Sequence, residues 1–503
     1  MRSLFPALLA GAALIASPAA AETLREALAK AYQTNPTLTG ARSQLRATDE
    51  GVPIARASGL PSITAGGNYT ENVLNSSNTF ASPARQAVAQ TQLAVPLYRG
   101  GGVRAGVRAA ETRVEAGRAG LRGTEANLFA EVVGAYMDVI RDEAIVGLNQ
   151  QNVRVLEVNL RASRDRFQVG DLTRTDVAQS EARLSLARAQ LQSAESQLIA
   201  SRENYIRVVG TPPGVLDEPP PLPNLPTVVD TAVQTALADN PNLLAASRAR
   251  DAARYDIGVA RATRLPQVSA IVGGTYQNFL GSLGAGTSTR VGQSGTSGNL
   301  GLALTLPIFQ GGRPAAEVRR AEALESQALE AITETQRAVV AQTRSSFAIY
   351  RSSLQVISSS EQAVNANKLS LEGVRAENSV GTRTILDILN AEQELLNSQV
   401  TLVSARRDAY VAGFNLLVAI GHGEARDLGL DGGPLYDPTV NYNRVRHRIS
   451  DFGSDGDPTP VATTTTATPA QDATVVRPQD PLLDTPVDRN RPLTTGSGSP
   501  DRR

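Results

Sequence analysis

The chain has 503 residues, of which 49 are basic and 49 acidic, with no Cys and two His. This balanced charge argues against a nucleic-acid partner, because such a protein needs a net basic face. The lack of Cys excludes disulfides. The only histidines, His422 and His447, argue against a multi-histidine metal site or a His-based triad. The sequence therefore predicts no catalytic residues, no cofactor and no metal site, and a protein that is not an enzyme.

Both ends of the sequence differ from its middle. Residues 1–21 contain Arg2, an apolar run over 4–16 and three Ala at 19–21, which is typical of a cleavable signal peptide and predicts export. No later run of about 18 apolar residues occurs, so we expect no membrane-spanning helix. Residues 451–503 are rich in Pro, Thr, Asp and Gly, and too few apolar residues remain to offset the entropy of ordering. This predicts a disordered tail that assembly does not require.

The middle of the chain is a tandem duplication. A first repeat over 22–210 and a second over 227–421 are separated by a Pro-rich linker over 211–226, and a C-terminal extension of the ordered domain follows over 422–450. The later parts of the repeats match at a constant offset of 211 residues, and two residues so related are called counterparts below. The matches include Gly170 with Gly381, Asp176 with Asp387, Glu181 with Glu392, and Gly210 with Gly421. Each repeat is too long to be a solenoid unit.

Each repeat contains a predicted β-hairpin, at about residues 60–98 and 265–309. Apolar and polar residues alternate there, most clearly in "NLGLALTLPIF" over 299–309. The strands of these hairpins are long enough to cross a bilayer, since a tilted strand needs roughly 9 to 11 residues. A soluble sheet with one face on a core shows the same alternation. If the strands cross a membrane, several chains must contribute to one barrel, because the smallest single-chain barrels have about 8 strands.

The remaining segments of each repeat are predicted to be helical. Residues 103–168 lack Pro and predict one helix of roughly 100 Å at 1.5 Å per residue, with shorter helical segments over 22–57 and 173–209. The last helix of each repeat carries a heptad seam of alternating large and small residues: Leu184, Leu191, Leu198 and Tyr205 with Ala187, Ala194, Ser201 and Val208, then Leu395, Leu402, Ala409 and Leu416 with Ser398, Ala405, Ala412 and Ala419. Such seams let helices approach closely and supercoil.

These features together resemble the TolC-like outer-membrane channels of efflux pumps and type I secretion systems. The resemblance covers about residues 22–440 and rests on the signal peptide, the duplication, the Leu-Pro and Pro-Leu-Tyr or Pro-Ile-Phe borders of the hairpins, and the helix turns at Gly170 and Gly381. It implies an α+β membrane protein, a homotrimer in which four strands per chain build a 12-stranded β-barrel in the outer membrane. A long α-helical coiled-coil tunnel continues the barrel into the periplasm.

The two helix turns carry the candidate site. Thr173 to Asp176 and Thr384 to Asp387 have the Thr-x-x-Asp spacing of a capping box, which by itself explains both aspartates. The resemblance implies a second role, a periplasmic gate in which Arg383 bonds to Thr175 and Asp176 of a neighbouring helix. If Asp387 faces the tunnel axis, threefold symmetry makes it a ring of three carboxylates.

Two residues depart from the pattern of the best-known members. Asn378 replaces a tyrosine of the clasp, and Asn390 replaces a second inward aspartate, so we expect a less acidic entrance and a closed state held differently.

The resemblance implies a passive exit duct for drugs, metal ions or a secreted polypeptide, gated at its periplasmic end. Its expected partners are outer-membrane lipid, a periplasmic adaptor (membrane fusion) protein and an inner-membrane transporter of RND or ABC type, with no nucleic acid. The alternative is a non-conducting, envelope-spanning coiled-coil scaffold or adhesin.

Overall fold

The structure is a computed structural model that describes residues 21–74, 83–284, 290–430, 435–477 and 480–483. The predicted signal peptide lies outside these ranges except for Ala21, as do residues 484–503 of the predicted tail. The first repeat contains α1 (Leu24–Thr34), α2 (Pro36–Asp49), α3 (Gly51–Ala57), β1 (Ser62–Glu71), β2 (Arg85–Arg99), α4 (Gly102–Gln168) and α5 (Arg174–Val209). The second contains α6 (Val229–Asp239), α7 (Pro241–Ala262), β3 (Gln267–Asn278), β4 (Ser294–Thr305), α8 (Arg313–Ser379) and α9 (Ile385–Ile420), and α10 (Thr439–Val445) follows.

An Asn-Pro pair with a buried asparagine divides the entry helices of each repeat. The side-chain oxygen of Asn35 caps α2 by accepting from the backbone N–H of Thr37 at 2.9 Å, and Asn240 caps α7 in the same way. The two asparagine amides also donate to the last helix of their repeats, Asn35 to Val208 O at 2.8 Å and Asn240 to Ala419 O at 3.0 Å. Because proline suits the first turn of a helix, the repeated pair starts one helix and docks it on another.

The long helices form two antiparallel hairpins, α4 with α5 and α8 with α9. Helices α4 and α8 have 67 residues each, α5 and α9 have 36 each, and corresponding helices begin 211 residues apart. The single long helix that the sequence predicts over 103–168 is thereby confirmed, with a length of about 100 Å. Helix α4 also packs along α9, so the hairpins lie side by side. None of the helices in the described part of the chain combines the length and apolar content that a membrane crossing requires.

The heptad seams contribute much of the core. Buried seam residues include Leu184, Ala187, Leu198 and Tyr205 in α5, and Leu395, Leu402, Ala405 and Ala409 in α9. The largest apolar cluster joins α1, α2, α4 and α5 around Phe129, Tyr136 and Tyr205. A second cluster joins α4, α8 and α9 around Leu148 and Leu402. The duplicated hairpins therefore share α4 as a common packing surface.

The four strands form one antiparallel sheet in the order β1-β2-β3-β4. Its register places one apolar residue of each strand in a single row, since Ile63 pairs with Leu93, Leu93 with Val272, and Val272 with Leu300. Ile63 is 77% exposed and Leu300 is 82% exposed. The sheet thus presents an apolar face that no other part of the described chain covers.

The C-terminal extension returns to the entry helices of the first repeat. Asn441 donates to a carboxylate oxygen of Asp49 at 2.8 Å, and Arg56 donates to the carbonyl of Arg446 at 2.6 Å. Tyr442 packs near Val52 at the start of α3. The described residues at the end of the extension are therefore bonded to the entry helices.

The structure departs from the predicted disorder in part of the tail. Residues 471–477 and 480–483 lie against the helices, and Leu483 is only 2% exposed. The composition of the tail does not reveal this contact. Its few apolar residues are buried by the helices rather than by one another, namely Val475, Leu482 and Leu483. For the rest of 451–503 the disorder stays a prediction.

Candidate functional site at the helix turns

The turns that join α4 to α5 and α8 to α9 have the same backbone. Gly170 and Gly381 both adopt φ of 83°, the left-handed conformation that favours glycine. In the first turn the N–H of Asp171 donates to the carbonyl of Arg166 at 2.9 Å, and in the second the N–H of Thr382 donates to that of Glu377 at 3.0 Å. These are Schellman closures, which satisfy the last carbonyls of a helix. The predicted helix-turn glycines therefore end α4 and α8.

Both predicted capping boxes are formed. Oδ2 of Asp176 accepts from the backbone N–H of Thr173 at 2.9 Å and from its hydroxyl at 2.8 Å. Oδ2 of Asp387 accepts from the N–H and hydroxyl of Thr384 at the same two distances. The Thr384 N–H, with its hydroxyl, lowers the pKa of Asp387 because both bonds favour the charged carboxylate. Each aspartate thus starts the helix that follows its turn.

Arg383 bonds within its own turn. Its Nε donates to Oε2 of Glu377 at 2.7 Å, and this bond raises the pKa of Arg383. In the first turn Arg166 pairs with Asp171 at 2.6 Å. Glu377 is the counterpart of Arg166. Each turn therefore has one ion pair, and the residue on the preceding helix is basic in the first turn and acidic in the second.

Within one chain, the groups of the expected clasp are therefore engaged elsewhere. The guanidinium of Arg383 is held by Glu377, and the carboxylate of Asp176 is held by Thr173. Thr175 is exposed on the first turn of α5.

The two asparagines that depart from the family pattern have separate contacts. Asn378, 7% exposed, donates from Nδ2 to the carbonyl of Arg383 at 2.7 Å and so fixes the turn to the end of α8. Asn390 accepts from Nη2 of Arg183 at 2.7 Å, which joins α9 to α5 of the other repeat. Asn390 therefore links the hairpins in addition to lying one turn above Asp387.

A buried polar cluster lies just above the turns, and sequence reasoning missed it. Asn159 of α4 donates from Nδ2 to both oxygens of Glu392 of α9, at 3.1 and 3.0 Å. Arg375 of α8 pairs with the same carboxylate at 3.3 Å. Burial raises the pKa of Glu392, against the attraction of Arg375 and the bond from Asn159. One carboxylate thus joins three helices from both repeats.

The first repeat contains the same ion pair in a different environment. Arg164 and Glu181 are the counterparts of Arg375 and Glu392 and lie 2.6 Å apart, but their side chains are 55% and 50% exposed. The corresponding values in the second repeat are 20% and 5%. The duplicated Arg and Glu are the sequence signal that points to this cluster, whereas its burial depends on α4.

A family model described as outer membrane efflux protein matches residues 27–211 and 232–422. The outer membrane efflux protein BepC of Brucella suis biovar 1 (strain 1330) is 33% identical over 441 residues, covering 88% of this chain and 94% of BepC. The outer membrane protein TolC of Escherichia coli (strain K12) is 28% identical over 497 residues, covering 93% and 97% of the two chains.

Structural comparison agrees with these relationships. The Campylobacter jejuni CmeC outer membrane channel superposes with a TM-score of 0.70 at 17% identity, covering 85% of this chain and 90% of CmeC. At this identity the match shows a common fold.

Proposed function

Because this chain belongs to the outer membrane efflux protein family, we propose that three copies of it form one passive duct, opened and closed at its periplasmic turns. The protein is an outer-membrane exit duct of an efflux or secretion system, with its long helices in the periplasm. The family consists of channel proteins, and the role proposed for this chain involves no catalysis.

The four-stranded sheet is the observation that supports the proposed trimer. Strands β1 and β4 are its edges, and an edge with free backbone groups is not tolerated in lipid. If β4 of one chain pairs with β1 of the next, three chains close a barrel of 12 strands without an edge. The exposed apolar row from Ile63 to Leu300 suits contact with outer-membrane lipid.

The helical hairpins supply the tunnel and the surface for partners. A periplasmic adaptor protein and an inner-membrane transporter of RND or ABC type complete the proposed system. They are assigned from the family rather than from a contact in this chain.

Conductance tests the duct against a scaffold or adhesin. Purified protein added to a planar lipid bilayer is expected to produce discrete current steps, because a closed barrel leaves a water-filled lumen. A trimer that inserts without producing current would instead support the non-conducting scaffold.

The gate is proposed to form between neighbouring chains. Inside one chain α4 packs against α9, and the counterparts of these helices are α8 and α5. Repeating the contact around a ring places α8 of one chain beside α5 of the next. Arg383 then lies near Thr175 and Asp176 of that neighbour, and Glu377 competes for its guanidinium.

Arg383→Ser is expected to raise the resting conductance by removing the clasp from all three chains. Arg166→Ser is the matched control, because it removes the ion pair of the first turn and leaves the clasp intact. Single-channel recording of both variants decides the role of Arg383. Equal resting conductance in wild type and Arg383→Ser would limit Arg383 to a structural role in its own turn.

A further inference from the structure

The last described segment of the chain, residues 471–477 and 480–483, is called the strap below. Its first part contacts the first repeat. Arg202 of α5, which is 9% exposed, donates to the carbonyls of Asp472 and Thr474 at 2.7 and 2.8 Å. Val475 packs against the apolar cluster around Phe129. A buried guanidinium therefore has two of its hydrogen-bond partners in the strap.

The second part of the strap contacts the second repeat. Arg406 of α9 pairs with Asp480 at 2.7 Å, and Gln399 donates to the carbonyl of Leu483 at 2.8 Å. Lys368 of α8 donates to the carbonyl of Leu482. The Leu483 side chain is buried in the cluster that joins α4, α8 and α9. The strap thus begins on one hairpin and ends on the other.

The strap runs along the helices towards the turns. The counterparts of Arg406 and Gln399 are Glu195 and Arg188, so the contacts move from the level of residue 202 to that of residue 188. At 1.5 Å per residue, this shift of 14 residues is about 21 Å. The segment therefore follows the groove between the hairpins and does not merely cross it.

In the second repeat, Lys368, Gln399 and Arg406 bond to the strap, whereas their counterparts in the first repeat do not have the chemistry to do so. The counterparts of Lys368 and Gln399 are Glu157 and Arg188, which bond to each other at 2.8 Å instead of donating to a peptide. The counterpart of Arg406 is Glu195, whose charge would repel Asp480. After the duplication, the positions that hold the strap therefore differ between the repeats.

We propose that the strap is an intramolecular clamp that ties the α8–α9 hairpin to the α4–α5 hairpin and restrains their separation. If opening at the turns separates the hairpins, bonds to both of them oppose that movement. The effect on current rests on the proposed duct, whereas the docking of the strap does not. This role differs from the dispensable tail that composition predicts, and deletion after residue 455 is expected to increase spontaneous opening.

Engineered cysteines test the docking directly, because the chain has no Cys of its own. In the trimer in detergent, a short bifunctional methanethiosulfonate reagent is expected to cross-link Asp480→Cys to Arg406→Cys within one chain; the reagent spans the space of the lost arginine side chain, because a direct disulfide needs Cα atoms within about 7 Å. Asp480→Cys with Glu195→Cys is the matched control, since Glu195 occupies the counterpart position, and its two thiols are expected to stay unlinked in the mass of the intact chain. Equal cross-linking of the two pairs, or of neither, would overturn the docking.

The same cross-link tests the clamp. In a planar bilayer, cross-linked Asp480→Cys/Arg406→Cys protein is expected to open less often by about fivefold or more, the lower end of typical coupling effects, and dithiothreitol, which reduces the bonds to the reagent, should restore opening. A cross-linked pair that leaves opening unchanged would reduce the strap to a passive contact. If wild type produces no current, the proposed duct fails while the cross-linking result still decides the docking.

Charge reversal supplies a test without a covalent bond. Arg406→Glu is expected to increase spontaneous opening. Adding Asp480→Arg should return it part of the way to wild type, because the pair with residue 480 is restored with opposite polarity while the pair of Arg406 with Glu361 stays lost. If adding Asp480→Arg does not lower the spontaneous opening of Arg406→Glu, the contact between residues 406 and 480 is not what fastens the strap.

Discussion

At the scale of single residues, Asp387 shows how one carboxylate is available for two roles. The two bonds that start α9 both use its Oδ2. A ring of three such carboxylates would still carry the charge that attracts a multivalent cation, because capping favours the ionised form. Asn390 supplies no second ring, so binding should be weaker than in a relative with two aspartates.

Two substitutions separate the charge of Asp387 from its capping role. Asparagine also accepts hydrogen bonds at a helix start, so Asp387→Asn removes the charge and keeps a cap, whereas Asp387→Ala removes both. Cation-selective current blocked by a trivalent cation from the periplasmic side is expected in wild type, with block lost in both variants and weakened by salt. Block that persists in Asp387→Asn and disappears only in Asp387→Ala would assign the effect to the cap.

At the scale of elements, the α4–α5 and α8–α9 hairpins have the same backbone arrangement, but corresponding side chains are buried to different extents. Glu392 lies between α4, α8 and α9, whereas its counterpart Glu181 remains half exposed beside Arg164. The difference arises because α4 covers the second hairpin inside the chain, and no described element covers the first hairpin in the same way. Burial of the shared ion pair thus marks where two hairpins meet.

Glu392 predicts a pH dependence of stability. Its pKa is raised above the ordinary 4.5 by burial, so the folded protein binds this proton more tightly than the unfolded chain does. Stability therefore falls as pH rises from 4.5 to the raised pKa, and the cost is constant at higher pH. Glu392→Gln removes this titration and can still accept from Asn159. The Tm of the variant minus that of wild type is expected to increase over this range and then level off.

Glu181→Gln, the same substitution in the Arg164–Glu181 pair of the first repeat, is the comparison for Glu392→Gln. A Tm difference for Glu392→Gln that does not vary with pH would contradict the burial cost assigned to Glu392.

At the scale of the whole molecule, the duplication predicts how neighbouring chains meet. Ser370 of α8 is the counterpart of Asn159 and is exposed, as is Glu181 of α5. If α8 packs on α5 of the next chain as α4 packs on α9, Ser370 and Glu181 face each other between chains. The exposed Arg164–Glu181 pair would then be covered as its counterpart is.

Disulfide formation tests this arrangement. Ser370→Cys with Glu181→Cys is expected to give covalent dimers and trimers on a non-reducing gel. Asn159→Cys with Glu392→Cys should link within one chain and keep the monomer size, because these side chains touch in the structure. A trimeric protein that yields only monomer bands from the first pair would show that the hairpins meet in another register.

The sequence by itself determined the repeats, the long helices, the strands and the turns of this protein. These features depend on short-range rules: Gly170 and Gly381 end helices, Thr384 and Asp387 cap one, and alternation over 299–305 produces a strand. Because the sequence is duplicated, each helix, strand and turn is also predicted twice. This is why the family and the capping roles of Asp176 and Asp387 followed from residues alone.

Only the tertiary structure decided which members of each repeated pair are buried and where the described residues of the tail lie. Glu181 and Glu392 are counterparts, and their burial differs because a third helix, α4, covers the pair that Glu392 forms with Arg375, whereas the pair that Glu181 forms with Arg164 of α4 stays half exposed. Leu483 is buried by helices more than 80 residues away in the chain, a contact invisible to the composition of the tail. Long-range packing, rather than local preference, sets these environments.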